Sequence, residues 1–258
     1  MTRLALAVSL VLMCAHVPAA ADDLCGATIV GNLVLQHDLS CPGDGLVVGA
    51  DAISINLNGF TISGQGTGVG VTVTGRTQVA VFGGTIANFA AGIRTRDVSR
   101  VAVKEVTFLD NADGIDLQQG STGNTIRHND FRGHTVRAIM IRGSSTLHTI
   151  DRNRFEGNRI GILVFAGVDN VIAENTFSHN TVAGIRLNVF ATGNLIVLND
   201  VRSNEVGIEL LSTSTAATVG NSFVKNTLAG NACGVKGLTA GNTFRRNQFI
   251  GNTMDACL

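Results

Sequence analysis

The chain has 258 residues, with 19 Lys and Arg against 19 Asp and Glu, so its formal net charge is zero. That balance excludes a nucleic-acid binder, which needs a basic face to displace counterions. The composition is rich in Gly (31) and poor in Pro (2), and with no Trp or Tyr all 12 aromatic residues are Phe.

The N-terminus reads as a targeting segment. Arg3 supplies a short positive region, LALAVSLVLMCA is an apolar run too short to span a bilayer, and VPAAA (17–21) ends in the small-x-small pattern of a cleavage site. Residues 1–21 are therefore expected to be a cleaved signal peptide, with the mature chain starting near Asp22. A lipid anchor at Cys14 fits less well, because Met13 stands where a small residue is wanted. No later stretch is long enough for a membrane helix. The expected location is secreted or periplasmic. Four cysteines remain in two close pairs, Cys25 with Cys41 and Cys233 with Cys257, and an even number in an exported chain predicts disulfides. No CxxC or Cys/His cluster points to zinc.

From residue 61 onward the chain repeats. NRFEGNRIGILV (153–164) returns as NTFSHNTVAGIRL (175–187) and NDVRSNEVGIEL (199–210). One apolar landmark per unit falls at Ile62, Ile86, Phe108, Phe131, Phe155, Phe177, Val201, Leu228 and Phe249. Around it, companions keep fixed offsets. Asn or His stands seven before (Asn124, His148, Asn170, Asn194, Asn221, Asn242). Asn stands two before (Asn129, Asn153, Asn175, Asn199, Asn226, Asn247). Asn or His stands three after (Asn111, His134, Asn158, Asn180, Asn204, Asn231, Asn252). A small residue and an apolar one follow, as in Gly161-Ile162. Such regularity predicts a solenoid. Apolar alternation within each unit is strand periodicity, and no 3.6-residue periodicity persists. Each unit is thus expected to be one coil of three short strands. Asn tolerates the left-handed backbone that bends require, so the Asn positions are expected at the bends, bonded to Asn above and below. Coils stacked at the strand spacing of roughly 4.8 Å make a rod of about 40–45 Å. A leucine-rich repeat has an overlapping period. It needs a helical or 3₁₀ half-unit, and half-units such as FAGVDNVIAENTF are rich in helix-disfavouring Gly, Asn, Val and Thr.

The N-x-F-x-x-N-x(2–3)-G-I units resemble the right-handed parallel β-helix repeats of the pectate-lyase-like superfamily. The opening, with Cys25-Gly26, DLSCPGDGLVV (38–48) and INLNGFTISGQGTGVGV (55–71), is similar to exported bacterial β-helix repeat proteins of unassigned function. The resemblance covers about residues 24–258. It implies a single all-β domain, a right-handed parallel β-helix of nine to ten coils of 21–27 residues. Residues 22–60 would form the N-terminal cap and first coil with a disulfide, and residues 61–258 the repeats. It also implies that a substrate lies along the outside of one sheet, while the fold itself carries lyases, hydrolases, epimerases, adhesins and inert proteins.

The strand after each Gly-Ile is the candidate for that sheet. Its outward row reads Arg94, Asp116, Met140, Leu163, Arg186, Glu209, Lys236, and a second row reads Arg96, Gln118, Arg142, Phe165, Asn188, Leu211, Leu238. The alternating signs of Arg186, Glu209 and Lys236 are what stacked exposed strands use to avoid like-charge neighbours. Met140, Leu163 and Phe165 would form an apolar patch. DNADGIDLQQG (110–120) resembles the N-T-D-G-I-D segment of polygalacturonases, where an aspartate acts in hydrolysis. The paired Asp-Asp, Gly-His-Gly and Arg-Ile-Lys signatures are missing, and one carboxylate cannot be both acid and base. The Asp-Pro-His of alginate epimerases and the Trp-Ile-Asp-His of pectate lyases are missing too. Asp110, Asp113 and Asp116 are a candidate calcium set through their oxygens, the only cofactor the sequence suggests. From Arg94 to Arg159 there are ten Arg and one Lys against eight acids, an excess of cationic groups suited to carboxylated sugars.

The expected catalytic set is Asp113, Asp116, Arg94 and Arg137, and the expected substrate-binding set is Arg96, Gln118, Arg142 and Arg186. His128, His134 and His179 could act as bases, but their offsets place them at bends. The absence of Trp and Tyr weighs against a neutral-sugar cleft. The leading expectation is an exported β-helix presenting a sheet face to an extended polymer, an acidic polysaccharide, with catalysis not established. The alternatives are a polysaccharide lyase or epimerase acting on a uronate polymer, and a structural or adhesive surface protein with no ligand site. Nothing in the sequence fixes an oligomeric state.

Overall fold

The computed structural model describes residues 24–213, 216–237 and 240–257. The expected signal peptide lies outside the described residues, as does Leu238 of the second row. Among the described residues there are 29 strands and no helix, and every strand pairing is parallel. The chain is a right-handed β-helix. One coil runs through the strands Thr125–Arg127, Asp130–Arg132 and Arg137–Arg142, and the next through Thr149–Asp151, Arg154–Glu156 and Ile160–Phe165. In two coils the first two strands merge, as Ala80–Ala87 and Ala102–Leu109. The third strands stack into an 11-stranded sheet from Thr28–Ile29 to Met254–Cys257.

The register is the one the repeat dictates. Phe108 pairs with Phe131, Phe131 with Phe155, and Phe155 with Phe177, and the column continues through Val201, Leu228 and Phe249. A further landmark, Leu39, pairs with Ile62 and adds a coil at the N-terminal end. The rings of Phe108, Phe131, Phe155 and Phe177 stack almost parallel, with centroids 4.7, 4.8 and 4.6 Å apart. These distances are the coil rise, so the backbone spacing itself sets up the offset stacking that aromatic pairs favour. The small residue before each inward Ile lets the coils close on that core. At Gly161 a Cβ would stand 2.4 Å from the Gly184 carbonyl oxygen and 2.7 Å from the Phe177 ring.

Three ladders of inward amides line the bends. Asn175 is representative. Its Oδ1 accepts from the backbone N–H and the Nδ2 of Asn153, at 2.9 and 3.0 Å. Its own Nδ2 donates to the Ile150 carbonyl and to Asn199 Oδ1, at 2.9 and 3.0 Å. The ladder expectation holds, but the reason given for it from the sequence needs correction. The left-handed residue is the one before each ladder Asn. His128, Arg152, Glu174, Leu198, Lys225 and Arg246 all have φ between 53° and 56°, each immediately preceding Asn129, Asn153, Asn175, Asn199, Asn226 or Asn247. The left-handed residue reverses the chain, and the next side chain is thereby aimed inward. Asn is needed there for its amide, which caps the backbone N–H groups that the bend removes from strand pairing.

The two disulfides join Cys25 to Cys41 and Cys233 to Cys257.

Candidate functional site on the eleven-stranded sheet

The outward row of this sheet is as the spacing predicts. Arg94 pairs with Asp116, Asp116 with Met140, Met140 with Leu163, Leu163 with Arg186, Arg186 with Glu209, and Glu209 with Lys236. A third row lies beside it, in which Asp113 pairs with Ala91 on one side and Arg137 on the other.

The expected catalytic carboxylates are both engaged by guanidinium groups. Asp113 takes a two-point bond from Arg137, with Nε and Nη2 each 2.8 Å from a carboxylate oxygen. Asp116 takes another from Arg142, at 3.0 and 2.6 Å, and accepts from Gln118 Nε2 at 2.7 Å. Arg94 Nε lies 3.5 Å from Asp116, an ion-pair distance, and has no hydrogen-bond partner. Arg96 Nε donates to Gln118 Oε1 at 3.2 Å. Asp116 is only 1% exposed although it lies on the outer face, because these side chains cover it. The result is one network, Arg96–Gln118–Asp116–Arg142, with Arg94 beside it. Planar guanidinium forks suit such two-point contacts, and the buried carboxylate holds them in place.

The network floors a basin of about 300 Å³ lined by Arg96, Gln118, Gln119, Arg142, Gly143 and Phe165. Three of the four expected binding residues therefore meet here. Arg186 does not; it bonds Glu209 at 2.5 Å, and Lys236 lies 3.5 Å from the same carboxylate. Gln119, exposed at the rim, had no sequence signal beyond following Gln118. The expected apolar patch is mostly closed. Met140 and Leu163 are buried, packed with Ile160 and Val182. Phe165 remains 38% exposed and forms the apolar wall of the basin.

The histidines fall at structural positions. His134 and His148 replace Asn in two ladders and are buried. The Nδ1 atoms lie 3.2 Å from the backbone nitrogens of Asn111 and Asn124. At the equivalent rungs an Asn Oδ1 accepts that N–H, and His148 Nδ1 accepts in the same way. His134 Nδ1 lies also 3.1 Å from the Asn111 carbonyl oxygen, and neither Nε2 has a partner. Burial pushes both ring pKa values down to about 4. His128 and His179 are left-handed bend residues.

Among the described residues, no group of three or more His, Cys, Asp and Glu side chains is placed to hold a metal ion. No helix among the described residues is long and apolar enough to cross a membrane.

Comparison with solved structures returns β-helices. An alginate lyase from Paenibacillus sp. str. FPU-7 superposes with a TM-score of 0.71 at 15% identity, over 86% of this chain and 96% of that one. An exopolygalacturonase from Thermotoga maritima gives 0.61 at 11% identity, over 90% and 78%. The periplasmic alginate epimerase AlgG gives 0.56 at 15% identity, over 85% and 73%. At such identities the likeness is one of fold. No curated protein matches the sequence. Residues 52–253, the greater part of the coils, match a family described as periplasmic copper-binding protein (NosD), and the chain belongs to that family.

Proposed function

We propose that the eleven-stranded sheet binds an extended acidic polysaccharide along the coil axis, centred on the basin between Arg96 and Arg142, without cleaving it. The observation that supports this is the network beneath the basin. Asp116 fixes Arg142 and Gln118, Gln118 fixes Arg96, and the guanidinium faces left over point at a cavity with one exposed ring. Such a site offers preorganised charge-assisted donors for a sugar carboxylate and a flat apolar surface for the sugar ring. The same network argues against catalysis by Asp113 or Asp116. A general base must be free to reach a substrate proton, and both carboxylates are held in two-point bonds. Two disulfides belong to an oxidising compartment, so the protein is assigned to the periplasm or the exterior.

Titration of the purified protein with alginate, polygalacturonate and neutral dextran tests the reading. Binding to the two uronate polymers, weakened by salt and absent for dextran, is expected. Hydrogen bonds to charged groups contribute about 1.5–3 kcal/mol, so Arg96→Ala or Arg142→Ala should weaken binding roughly 10- to 100-fold. Calcium should leave the affinity unchanged, because arginines already occupy Asp113 and Asp116. No binding to any acidic glycan, or equal binding by the Arg96→Ala and Arg142→Ala variants, would refute the reading.

A second reading, a lyase or epimerase on the same polymer, is favoured by Arg94. Its guanidinium is partly exposed and tied to Asp116 only by a 3.5 Å ion pair without a hydrogen bond at Nε, which leaves a cationic group able to neutralise a substrate carboxylate, one half of such a mechanism. An ultraviolet assay for unsaturated uronate ends, run on wild type and Arg94→Ala, separates the two.

A further inference from the structure

Met254–Cys257 is the edge strand of the eleven-stranded sheet. Apolar side chains lie open around it. Phe249, Ile250 and Met254 are exposed, and Phe244 and Phe249 wall a cavity of about 450 Å³ with Val235, Ala256 and Asp255. An edge of this kind is a template for another strand. One residue in it breaks the repeat. A column of small residues, one per strand, runs along the sheet from Gly45 through Gly114, Ala138 and Gly161 to Gly234. Its last member, between Met254 and Ala256, is Asp255. The reason for the small residues is steric. At the eight glycines of the column from Gly45 to Gly234, an added Cβ would stand between 2.2 and 2.9 Å from the carbonyl oxygen of the next coil. Ala138 carries the largest side chain elsewhere in the column.

At Asp255 that direction carries a whole carboxylate side chain. A twelfth strand stacked in register would set its carbonyl oxygen against the Asp255 Cβ and its dipole against a negative charge. A second observation falls on the same residue. In the ladder that Asp255 follows, each Nδ2 donates to the Oδ1 of the next rung, Asn204 to Asn231 at 3.1 Å and Asn231 to Asn252 at 3.0 Å. Asn252 Nδ2 gives that bond to Asp255 Oδ1 instead, at 3.1 Å. Asp255 thus fills two places that a further coil would take, the carbonyl position and the ladder acceptor. We propose that Asp255 is a stop residue, which closes this ladder and bars the first coil of a second copy from stacking head-to-tail on the open edge. A second copy is the occupant to be barred, because its first coil carries the same columns. Val34 heads the column that reaches Arg245, and Leu39 heads the one that reaches Phe249. A head-to-tail contact of this kind does not close on itself, so without a stop it grows into a filament. The inference does not depend on the polysaccharide basin, which lies several coils away.

Sedimentation of the full-length protein over a range of concentrations tests this. Asp255→Gly gives the column the residue it holds elsewhere. Its mean mass should rise with concentration, at least about twofold over wild type, as pairs and longer chains form. Asp255→Ala, the side chain that Ala138 shows the column accepts, should associate more weakly, and it takes over if the glycine variant loses its strand spectrum by circular dichroism. Val34 is exposed, and in the stacked arrangement it would lie opposite Arg245 of the other copy. Val34→Lys therefore sets like charges face to face. Added to Asp255→Gly it should restore the wild-type mass, and alone it should sediment as wild type does. No rise in mass for a folded Asp255 variant, association of Asp255→Gly that survives Val34→Lys, a smaller species for Val34→Lys alone than for wild type, or loss of the strand spectrum in both Asp255 variants would each overturn the inference.

Discussion

Lowering the pH from 8 to 5 should destabilise this protein through His134 and His148. Both rings are neutral in the fold, with pKa values held at about 4 by burial, against a reference of 6.5. The unfolded chain takes up a proton at each as the pH falls below 6.5, and the folded chain does not. Stability is therefore complete above pH 6.5, declines between 6.5 and 4, and levels off below. The full window corresponds to about 3 kcal/mol per ring, of which about 2 kcal/mol is lost by pH 5. The geometry reinforces the sign. A proton on His148 Nδ1 would face the N–H of Asn124 and break the rung. Urea unfolding at pH 5, 6, 7 and 8 reads the effect, and model carboxylates stay mostly ionised across that range. The decisive perturbation is the double variant His134→Asn, His148→Asn. It removes both titrations, and an Asn at 148 also offers an acceptor to Asn124 Nδ2, which has no partner. The variant should lose about 4 kcal/mol less than wild type between pH 8 and pH 5. An unchanged pH slope in the double variant would refute the assignment.

Asn175→Ala deletes the acceptor of two Asn153 donors and two donors of its own, leaving buried backbone groups unpaired. It should cost about 2–4 kcal/mol by urea unfolding, and a loss under 1 kcal/mol would count against the ladder as a stabilising element. Phe155→Ala opens the middle of the ring stack and should cost about 3–5 kcal/mol by the same measurement. Leu147 is left-handed, with φ of 58°, and 60% exposed. The same bend in the flanking coils uses Gly123 and Asp169. Leu147→Gly should raise stability by roughly 1 kcal/mol at little loss of packing.

The sequence carries the fold because a solenoid writes each structural constraint once per coil. The Phe column, the inward Ile after Gly161 and the ladder Asn are each legible from spacing alone, since a slip at one coil would misalign every neighbour. The left-handed position was not legible. His128, Arg152, Glu174, Leu198 and Lys225 share no chemistry, because the requirement there is a backbone angle met at modest strain by many exposed side chains. The candidate site was half legible. Period-two alternation placed Arg96, Gln118 and Arg142 in one row. It could not show that Arg142 turns back onto Asp116, because a long side chain chooses its partner by rotamer and charge, whereas the alternating signs of Arg186, Glu209 and Lys236 did foreshadow the pairing seen there. Gln119 and Gly143 reach the basin through the bend after the strand, where strand alternation no longer applies.

The departures from the repeat are themselves informative. In most coils the bend residues, the small residue and the ladder amide follow the same pattern. Between positions 134 and 148 the pattern breaks four times. His134 and His148 replace Asn, Ala138 stands where its neighbours have Gly114 and Gly161, and Leu147 occupies a left-handed bend. The same segment carries Arg137 and Arg142, which hold Asp113 and Asp116. Repeats drift wherever the fold tolerates it, so one departure means little. Here the two His substitutions each leave a buried Nε2 without a partner, a cost that the Asn of the neighbouring rungs avoids. His134 lies on the coil that supplies the basin with Arg142 and Gly143, and His148 stands at the bend that opens the next coil. The disturbed segment and the basin thus adjoin each other along the sheet. One is read from broken periodicity and the other from convergent side chains.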